Sequence, residues 1–314
     1  MLNTTKVALS IVAPVHNEED CIVEFYNRLA AVLQIIPLPA EIIFVNDGSS
    51  DSSLNALKSL RGKDGRVKIL DFSRNFGHQI AIKAGIDHAS GEMIVIIDSD
   101  LQDPPEIIPE LIKKHKDGYD VVYTIHTTRE GESVFKKFTA SLYYRLIRKI
   151  STIDVPLDSG DFRLISRKVA DYLKNVDEKN LYLRGLISWL GFKQIGIPVA
   201  RQARYAGKTK YSLGKMISFA WNGITHFSFL PLQISTAIGC IVSLICLLWI
   251  IQALYVSFIL HIAVPGWTSI MVAILFLGSV QLITLGIIGS YLARNYDEVR
   301  SRPLYVIKSK EGLE

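Results

Sequence analysis

The most conspicuous absence in the sequence is charge between Lys215 and Arg294. The 314-residue chain has 35 Lys and Arg and 30 Asp and Glu residues, yet residues 216–293 contain none of these four types. Since 21% of the whole chain is charged, this gap excludes a single soluble domain of uniform composition. The sequence therefore predicts two regions of different character, which divide near residue 230.

Cysteine is also scarce, and its spacing fits neither a metal site nor a disulfide framework. The three cysteines are Cys21, Cys240 and Cys246, and two of them lie in the uncharged region. This distribution indicates a reducing, cytoplasmic setting. The N-terminus has no apolar run behind a basic start, so we expect no signal peptide. The net charge of +5 is too small to indicate nucleic acid as a partner.

The first hundred residues alternate between apolar runs and segments with helical spacing. Buried strands are predicted at 7–14, 41–45, 67–72 and 92–97. Strands that alternate with helices favour an α/β domain with a mainly parallel sheet. Ligands of such sheets bind beyond the carboxyl ends of the strands, which is where Pro14, Asp47 and Asp98 fall.

Two uncharged apolar segments, 230–260 and 269–293, are each long enough to cross a hydrocarbon core of about 30 Å. The short turn between them predicts a hairpin of two transmembrane helices, with a pair of buried core helices as the alternative. Basic residues flank both outer ends of the pair. The positive-inside rule therefore predicts that both termini are cytoplasmic.

These patterns divide the chain into four segments. Residues 1–210 are predicted to form a cytoplasmic α/β domain, 211–229 an interfacial helix, 230–293 the two spans and 294–314 a cytoplasmic tail. Within the tail, 303–307 has the composition of a short strand that could pair with a neighbouring copy. Because unpaired strand edges promote association, this favours a homo-oligomer.

Asp98-Ser99-Asp100 directly follows the strand at 92–97. Two carboxylates one residue apart can share a divalent cation such as Mg²⁺ or Mn²⁺, or one can bind the ion while the other binds a ribose. Acidic turn residues are common after strands, so the motif gains weight only from neighbouring strand ends. Asp47 follows the second strand and could accept hydrogen bonds from a nucleoside; a turn or helix-capping role is its alternative.

Several separate motifs carry a resemblance to a known family. They are Val-Asn-Asp-Gly-Ser-Ser-Asp at 45–51, Phe-Ser-Arg-Asn-Phe-Gly-His at 72–78, Asp-Ser-Asp-Leu-Gln-Asp-Pro-Pro-Glu at 98–106, Gly-Asp-Phe-Arg-Leu at 160–164 and Ala-Gly-Lys-Thr-Lys-Tyr-Ser at 206–212. The first three resemble family 2 glycosyltransferases with the GT-A fold. The last two, followed by two membrane spans, resemble polyisoprenyl-phosphate glycosyltransferases, which include bactoprenol glucosyltransferases and dolichyl-phosphate mannose synthases.

The resemblance implies roles for the matched residues. The implied ligands of the nucleotide-sugar are Pro14, Asn17, Glu18, Asp47, Asp98, Gln102 and Arg163. Asp100 is the implied main metal ligand, with Asp98 and Gln102 beside it, and the metal is Mg²⁺ or Mn²⁺. Asp161 is the first choice, and Asp158 the second, for a catalytic residue that orients the acceptor or sugar. For Arg163, a structural ion pair with a carboxylate is the alternative.

Arg204 and Lys210 are expected to bind the phosphate of an acceptor lipid. An arginine fork can engage two phosphate oxygens at once, and both residues precede the interfacial segment, where a lipid headgroup would lie. General attraction to anionic headgroups is the alternative.

The resemblance implies a metal-dependent, inverting transfer of a hexose from a UDP-sugar to polyprenyl (undecaprenyl) phosphate on the cytoplasmic leaflet of a bacterial inner membrane. Glucose is the best match; GDP-mannose or a UDP-linked aminoarabinose derivative is the alternative donor. A membrane scaffold that binds nucleotide-sugar without transferring it is the non-enzyme alternative. Processive polysaccharide synthases carry a Gln-x-x-Arg-Trp motif, whereas Arg184 and Trp189 are separated here, which disfavours a polymerase.

Overall fold

The computed structural model describes residues 7–126, 159–179, 181–199, 230–258 and 266–313. Within these, the residues up to 199 together with 302–313 form one compact unit, and 230–258 with 266–301 form a second. The predicted interfacial helix at 211–229 lies outside the described residues.

The first unit is built on one eight-stranded sheet with the order β7-β5-β6-β4-β1-β2-β3-β8. The strands are β1 Leu9–Val15, β2 Ala40–Asn46, β3 Val67–Phe72, β4 Met93–Ile96, β5 Val121–His126, β6 Ser159–Ser166, β7 Gln194–Val199 and β8 Ile307–Glu311. The four strands predicted in the first hundred residues are all present, and β3-β2-β1-β4 are mutually parallel.

The prediction of a mainly parallel sheet is corrected beyond β4. Strand β6 lies antiparallel between β4 and β5, and β8 lies antiparallel to β3, so the sheet is mixed. The rule that alternating strands and helices give parallel pairs applies to consecutive crossovers. It gives no information on β6 and β8, which join the sheet from distant parts of the chain.

Helices cover both faces of this sheet. They are α1 Ile22–Ile35, α2 Ser53–Lys63, α3 His78–His88, a 3₁₀ turn at Pro105–Ile107, α4 Ile108–Lys116, α5 Arg167–Lys174 and α6 Leu183–Trp189. Alternate residues of β1 face opposite sides: Ile11 packs with α1, α2 and α4, whereas Val12 packs with α3, α5 and α6. All of β1 is buried, as expected of a central parallel strand.

The C-terminal tail returns to this sheet. The predicted strand at 303–307 is shifted to Ile307–Glu311, and it pairs with β3 of the same chain. It covers the edge that β3 would otherwise expose, because an antiparallel partner satisfies the outer row of backbone groups. The homo-oligomer stays a prediction.

The second unit contains two long helices over the predicted apolar segments, α7 Leu230–Phe258 and α8 Trp267–Val299. They contact each other, and Ser235 Oγ donates to Thr284 Oγ1 at 3.0 Å. Among the described residues, one segment, Phe276–Val299, is long and apolar enough to cross a membrane. The two-span hairpin therefore stays a prediction.

Candidate active site

A cavity of about 350 Å³ opens beyond the carboxyl ends of β1, β2 and β4. It is lined by Pro14, Val15, His16, Glu18, Asp47, Asn75, Gly77, His78, Ala81, Asp98, Ser99 and Asp100. The structure thus brings together Pro14, Glu18, Asp47, Asp98 and Asp100, as the argument from parallel strand ends predicts. Their individual roles stay predictions at this point.

The loop after β4 presents two carboxylates to the cavity. Ser99 Oγ donates to the carbonyl oxygen of Pro14 at 2.9 Å, which fixes this loop against β1. Asp100 Oδ1 accepts from the backbone N–H of Gln102 at 3.1 Å. Leu101 between them has a positive φ of 63°, an uncommon conformation for a leucine that marks a tightly defined turn. Gln102 shapes the turn through its backbone, and its side chain is not among the groups that line the cavity.

Asp98 lies in an environment that disfavours its negative charge. Only 26% of its side chain is exposed, and its Oδ1 is buried and accepts no hydrogen bond from the described residues. Burial raises the pKa of Asp98 to about 6; the nearby charges of Asp161 and Asp100 act in the same direction, and His78 opposes them. Such a carboxylate gains from a cation that binds beside it.

Asp161 on β6 is held by three side chains. Arg184 of α6 donates to both carboxylate oxygens, from Nε at 2.7 Å and from Nη2 at 3.0 Å. The side-chain nitrogens of His78 and Gln79 each lie 3.3 Å from Asp161 Oδ2. Although burial opposes ionisation, His78 and Arg184 hold the pKa of Asp161 well below its usual range. Asp161 is therefore a fixed, charged group and a weak base near neutral pH.

His78 lines the cavity and also contacts Asp161. Its Nε2 lies 3.3 Å from Asp161 Oδ2 and 3.5 Å from Asp98 Oδ1, and one ligand atom from each of the three residues lies within 4.8 Å of the other two. Although burial lowers it, the two carboxylates raise the pKa of His78 overall. Asp161 is not among the residues that line the cavity and lies next to His78, which does line it.

Arg163 lies two residues from Asp161 on β6 and is buried. Its Nη2 donates to the carbonyl oxygen of Gly160 at 2.8 Å and its Nε to that of Asp161 at 3.4 Å. Burial lowers the pKa of Arg163 to about 10. The carboxylate ion pair considered for Arg163 is thus made by Arg184 instead, and Arg163 supports the backbone at the start of β6.

Asp47 anchors the loop between β3 and α3, residues 73–77. Its Oδ1 accepts from the backbone N–H of Phe76 at 2.6 Å, and its Oδ2 from that of Gly77 at 3.0 Å. Asn17, which has a φ of 56°, holds a second loop through its side chain. Its Oδ1 accepts from the backbone N–H of Ser50 at 2.8 Å and holds the loop that follows Asp47. Both predicted nucleoside ligands therefore also organise the loops of the cavity.

Gly48 is the position where these loops touch. Its φ is +62°, and a Cβ there would lie 2.4 Å from the backbone carbon of Arg74 and 2.5 Å from the backbone nitrogen of Asn75. We expect Gly48→Ala to lower the free energy of unfolding by roughly 2–5 kcal/mol, since a left-handed alanine and a backbone clash both contribute. Chemical denaturation measures this. Gly65→Ala is the matched control, because a Cβ at Gly65 meets nothing within 4 Å; equal losses in both variants would contradict the expectation.

Two sets of residues could hold a divalent cation. Asp98, Asp100 and Gln102 form the predicted set, although the Gln102 side chain does not line the cavity, and His78, Asp98 and Asp161 form a second. In the second set, both oxygens of Asp161 accept hydrogen bonds from the Arg184 guanidinium, which would repel a dication. The carboxylates of Asp98 and Asp100 fit a hard cation better. The buried Oδ1 of Asp98 accepts no hydrogen bond from the described residues, with His78 Nε2 at 3.5 Å, and this supports the choice.

Three candidate residues, Asp158, Arg204 and Lys210, lie outside the described residues. Arg184 is a site residue that the sequence motifs do not predict, since it matches only an incomplete Gln-x-x-Arg-Trp motif. Its contact with Asp161 crosses from α6 to β6, and the sequence carries no local signal for such a pair.

Comparison with known proteins decides the family. Residues 10–173 match the family described as glycosyl transferase family 2. The chain belongs to glycosyl transferase family 2, and it is a glycosyltransferase. It is 48% identical over 308 residues to the uncharacterized glycosyltransferase YkcC of Bacillus subtilis, covering 98% of this chain and 95% of that protein.

A second relative is named for its acceptor and sugar. The SfII prophage-derived bactoprenol glucosyl transferase of Shigella flexneri is 41% identical over 300 residues, covering 96% of this glycosyltransferase and 97% of the relative. Among solved structures, the glucosyl-3-phosphoglycerate synthase of Mycobacterium tuberculosis aligns with 70% of this chain and 80% of its own at 17% identity, with a TM-score of 0.46.

Proposed function

We propose that this family 2 glycosyltransferase transfers a hexose, with glucose as the first candidate, from a UDP-sugar to polyprenyl phosphate. The observation that carries the proposal is the end-to-end similarity to a protein named bactoprenol glucosyl transferase. That similarity includes the apolar C-terminal region as well as the sheet, so the part of the chain that would contact a lipid is included.

The cavity supplies the surroundings that sugar transfer requires. The nucleotide-sugar would lie beyond the ends of β1 and β2, against Pro14, Glu18 and Asp47. Asp98 and Asp100 would hold Mg²⁺ or Mn²⁺, which neutralises the charge on a leaving diphosphate. The donor would then be fixed in a GT-A-type site, with its reacting carbon directed toward His78 and Asp161.

Asp161 would orient the acceptor or sugar rather than remove a proton. A lipid phosphate is already anionic near neutral pH and needs little deprotonation. Arg184 balances the charge of Asp161, and His78 bridges it to the donor side of the site. Catalysis would therefore rest on positioning and on charge stabilisation, and transfer with inversion is the expected outcome.

We propose that α7 and α8 anchor the enzyme as a two-span hairpin in the inner membrane. Both helices expose large apolar side chains, such as Ile241, Leu248 and Trp249 on α7 and Leu282 and Leu285 on α8. Exposed apolar surface of this extent is typical of contact with lipid. The basic residues at both outer ends favour cytoplasmic termini, which would locate the donor site on the cytoplasmic leaflet.

A donor panel tests the proposed sugar. The purified full-length protein is incubated with polyprenyl phosphate, Mg²⁺ or Mn²⁺, and labelled UDP-glucose, GDP-mannose or a UDP-linked aminoarabinose. We expect UDP-glucose to give the highest kcat/KM for a labelled, chloroform-soluble product, and added chelator to stop the reaction. A preference for GDP-mannose would contradict the glucose assignment, and full activity in chelator would contradict the metal.

Arg204→Ala tests the proposed lipid-phosphate contact. Loss of a charge-assisted bidentate bond is worth about 1.5–3 kcal/mol, so we expect the KM for polyprenyl phosphate to rise roughly 10- to 100-fold. The KM for UDP-glucose should change little. Arg201→Ala, three residues away, controls for general attraction to anionic headgroups. Equal effects of the two variants, or equal effects on both substrates, would show that Arg204 has been assigned wrongly.

A further inference from the structure

The C-terminal tail, residues 302–313, makes contacts beyond the pairing of β8 with β3. The ring of Tyr305 stacks on that of Phe72, the last residue of β3, with centroids 5.2 Å apart and planes 15° apart. The carbonyl oxygen of Val306 accepts from the backbone N–H of Ser73 at 3.0 Å. The tail therefore holds the point where β3 ends and loop 73–77 begins.

Tyr305 also holds the helix on the other side of this loop. Its hydroxyl donates to Asp87 Oδ2 at 3.0 Å, near the end of α3. Asp87 Oδ1 accepts from Nζ of Lys83, which is only 2% exposed, at 2.6 Å. Because a buried ammonium needs its partner, Asp87 is fixed in place and offers Tyr305 a rigid attachment. Tyr305 thus contacts both β3 and α3, the elements on either side of loop 73–77.

Loop 73–77 forms one wall of the cavity, through Asn75 and Gly77. Inside the loop, Arg74 Nη1 donates to the carbonyl oxygen of Asn75 at 3.0 Å, and the Arg74 guanidinium lies 4.1 Å from the centre of the Phe76 ring. Beyond the loop, Asp47 accepts from the backbone N–H groups of Phe76 and Gly77, and Phe76 packs edge-on against Phe72 with centroids 5.6 Å apart. Since Phe72 is packed between Phe76 and Tyr305, the stacked tyrosine completes a continuous set of contacts from the tail to the cavity wall.

We infer that the tail is a positioning element of the donor site, in which Tyr305 fixes loop 73–77 in the conformation that receives the nucleotide-sugar. This inference rests on the proposed function for the identity of the ligand. Tyr305 acts through the loop and touches neither substrate.

The test compares Tyr305→Ala, Tyr305→Phe and Lys308→Ala in the full-length protein. Lys308 lies on β8, three residues after Tyr305, and is exposed, so it controls for disturbance of β8 itself. Hydrogen exchange of the Phe76 and Gly77 amides is measured without ligand, and the Kd for UDP is measured by titration. We expect Tyr305→Ala to raise both the exchange rates and the Kd about 10-fold, Tyr305→Phe about 3-fold, and Lys308→Ala neither.

Two results would overturn the inference. One is unchanged exchange in loop 73–77 for Tyr305→Ala or, where that variant does not fold, for Tyr305→Phe. The other is faster exchange throughout β1, β2 and β4, which would mean that the tail stabilises the whole sheet rather than the loop. The exchange measurement needs no ligand, so it judges the tail separately; failure of the wild-type protein to bind UDP or transfer sugar would count against the proposed function instead.

Discussion

Asp98→Asn is expected to abolish transfer while raising the free energy of unfolding of the metal-free protein by about 1–3 kcal/mol at pH 7.5. The pKa of Asp98 is raised to about 6 by burial and by neighbouring carboxylates, so its ionised form destabilises the fold. Asparagine removes that charge at nearly constant size. It also removes a proposed metal ligand, which is why activity and stability should change in opposite directions.

The pH dependence of this effect has a definite sign. Because the folded-state pKa of Asp98 is above the value for an unfolded chain, Asp98 itself takes no stability from the wild type below about pH 4, and it causes a loss that develops as the pH rises from about 4 through 6. The variant lacks this loss. The difference between the two proteins should therefore be absent near pH 4 and complete by about pH 7.

Urea denaturation in the presence of chelator, at pH 4 and pH 7.5, measures the difference, with transfer assayed in parallel. Asp117→Asn is the matched control, because Asp117 is half exposed on the surface and should leave activity and stability unchanged. Asp100→Asn should abolish transfer as well. A variant at Asp98 that is less stable than wild type at pH 7.5 would show that this carboxylate supports the fold and is not held there for function.

Replacing Arg184 by methionine is expected to have the largest effect on the fold. It removes both charge-assisted hydrogen bonds to Asp161 and leaves that carboxylate, which is only 10% exposed, without its strongest partner. Removing one member of such a buried pair costs about 3–5 kcal/mol of unfolding free energy. Turnover should fall at least about 100-fold, because Asp161 would lose its fixed orientation.

A double variant separates the fold from the chemistry. Asp161→Asn combined with Arg184→Met removes both charges, so it should recover most of the stability that Arg184→Met loses, yet it should remain inactive. Arg167→Met is the matched control: Arg167 is a largely buried arginine that donates to the carbonyl oxygens of Ala89 and Gly91. In a double variant of Arg167→Met with Asp161→Asn, the two losses of unfolding free energy should simply add. Recovery of activity in the variant that combines Asp161→Asn with Arg184→Met would contradict any role for Asp161 in transfer.

The sequence predicts well which residues line the cavity beyond β1, β2 and β4, because the relevant signals are local. Each of β1, β2 and β4 is an apolar run that ends in polar residues, and parallel strands bring such ends to one edge. Pro14, Asp47 and Asp98 are therefore placed together by pattern alone. The same argument cannot distinguish a ligand from a scaffold residue, and Asp47 is seen to hold the backbone of Phe76 and Gly77 as well.

The surroundings of Asp161 are less predictable because they depend on distant contacts. Asp161 reaches the site only because β6 enters the sheet antiparallel, beside β4, and its partner Arg184 comes from a helix that follows later in the chain. The position of the strand in the C-terminal tail, Ile307–Glu311 rather than 303–307, also differs from the prediction. The sequence of a short edge strand does not distinguish pairing with a neighbouring copy from pairing within its own chain. The structure shows the pairing with β3.

The most direct test of the central claim is the dependence of transfer on the lipid phosphate. The purified protein is given labelled UDP-glucose and Mg²⁺ with either polyprenyl phosphate or the same polyprenol without its phosphate, and label in the chloroform phase is counted. The proposed function predicts a labelled product with polyprenyl phosphate, none with the polyprenol, and none from Asp100→Asn. Equal labelling of both lipids, or no labelled lipid with UDP-glucose, GDP-mannose or a UDP-linked aminoarabinose, would contradict it.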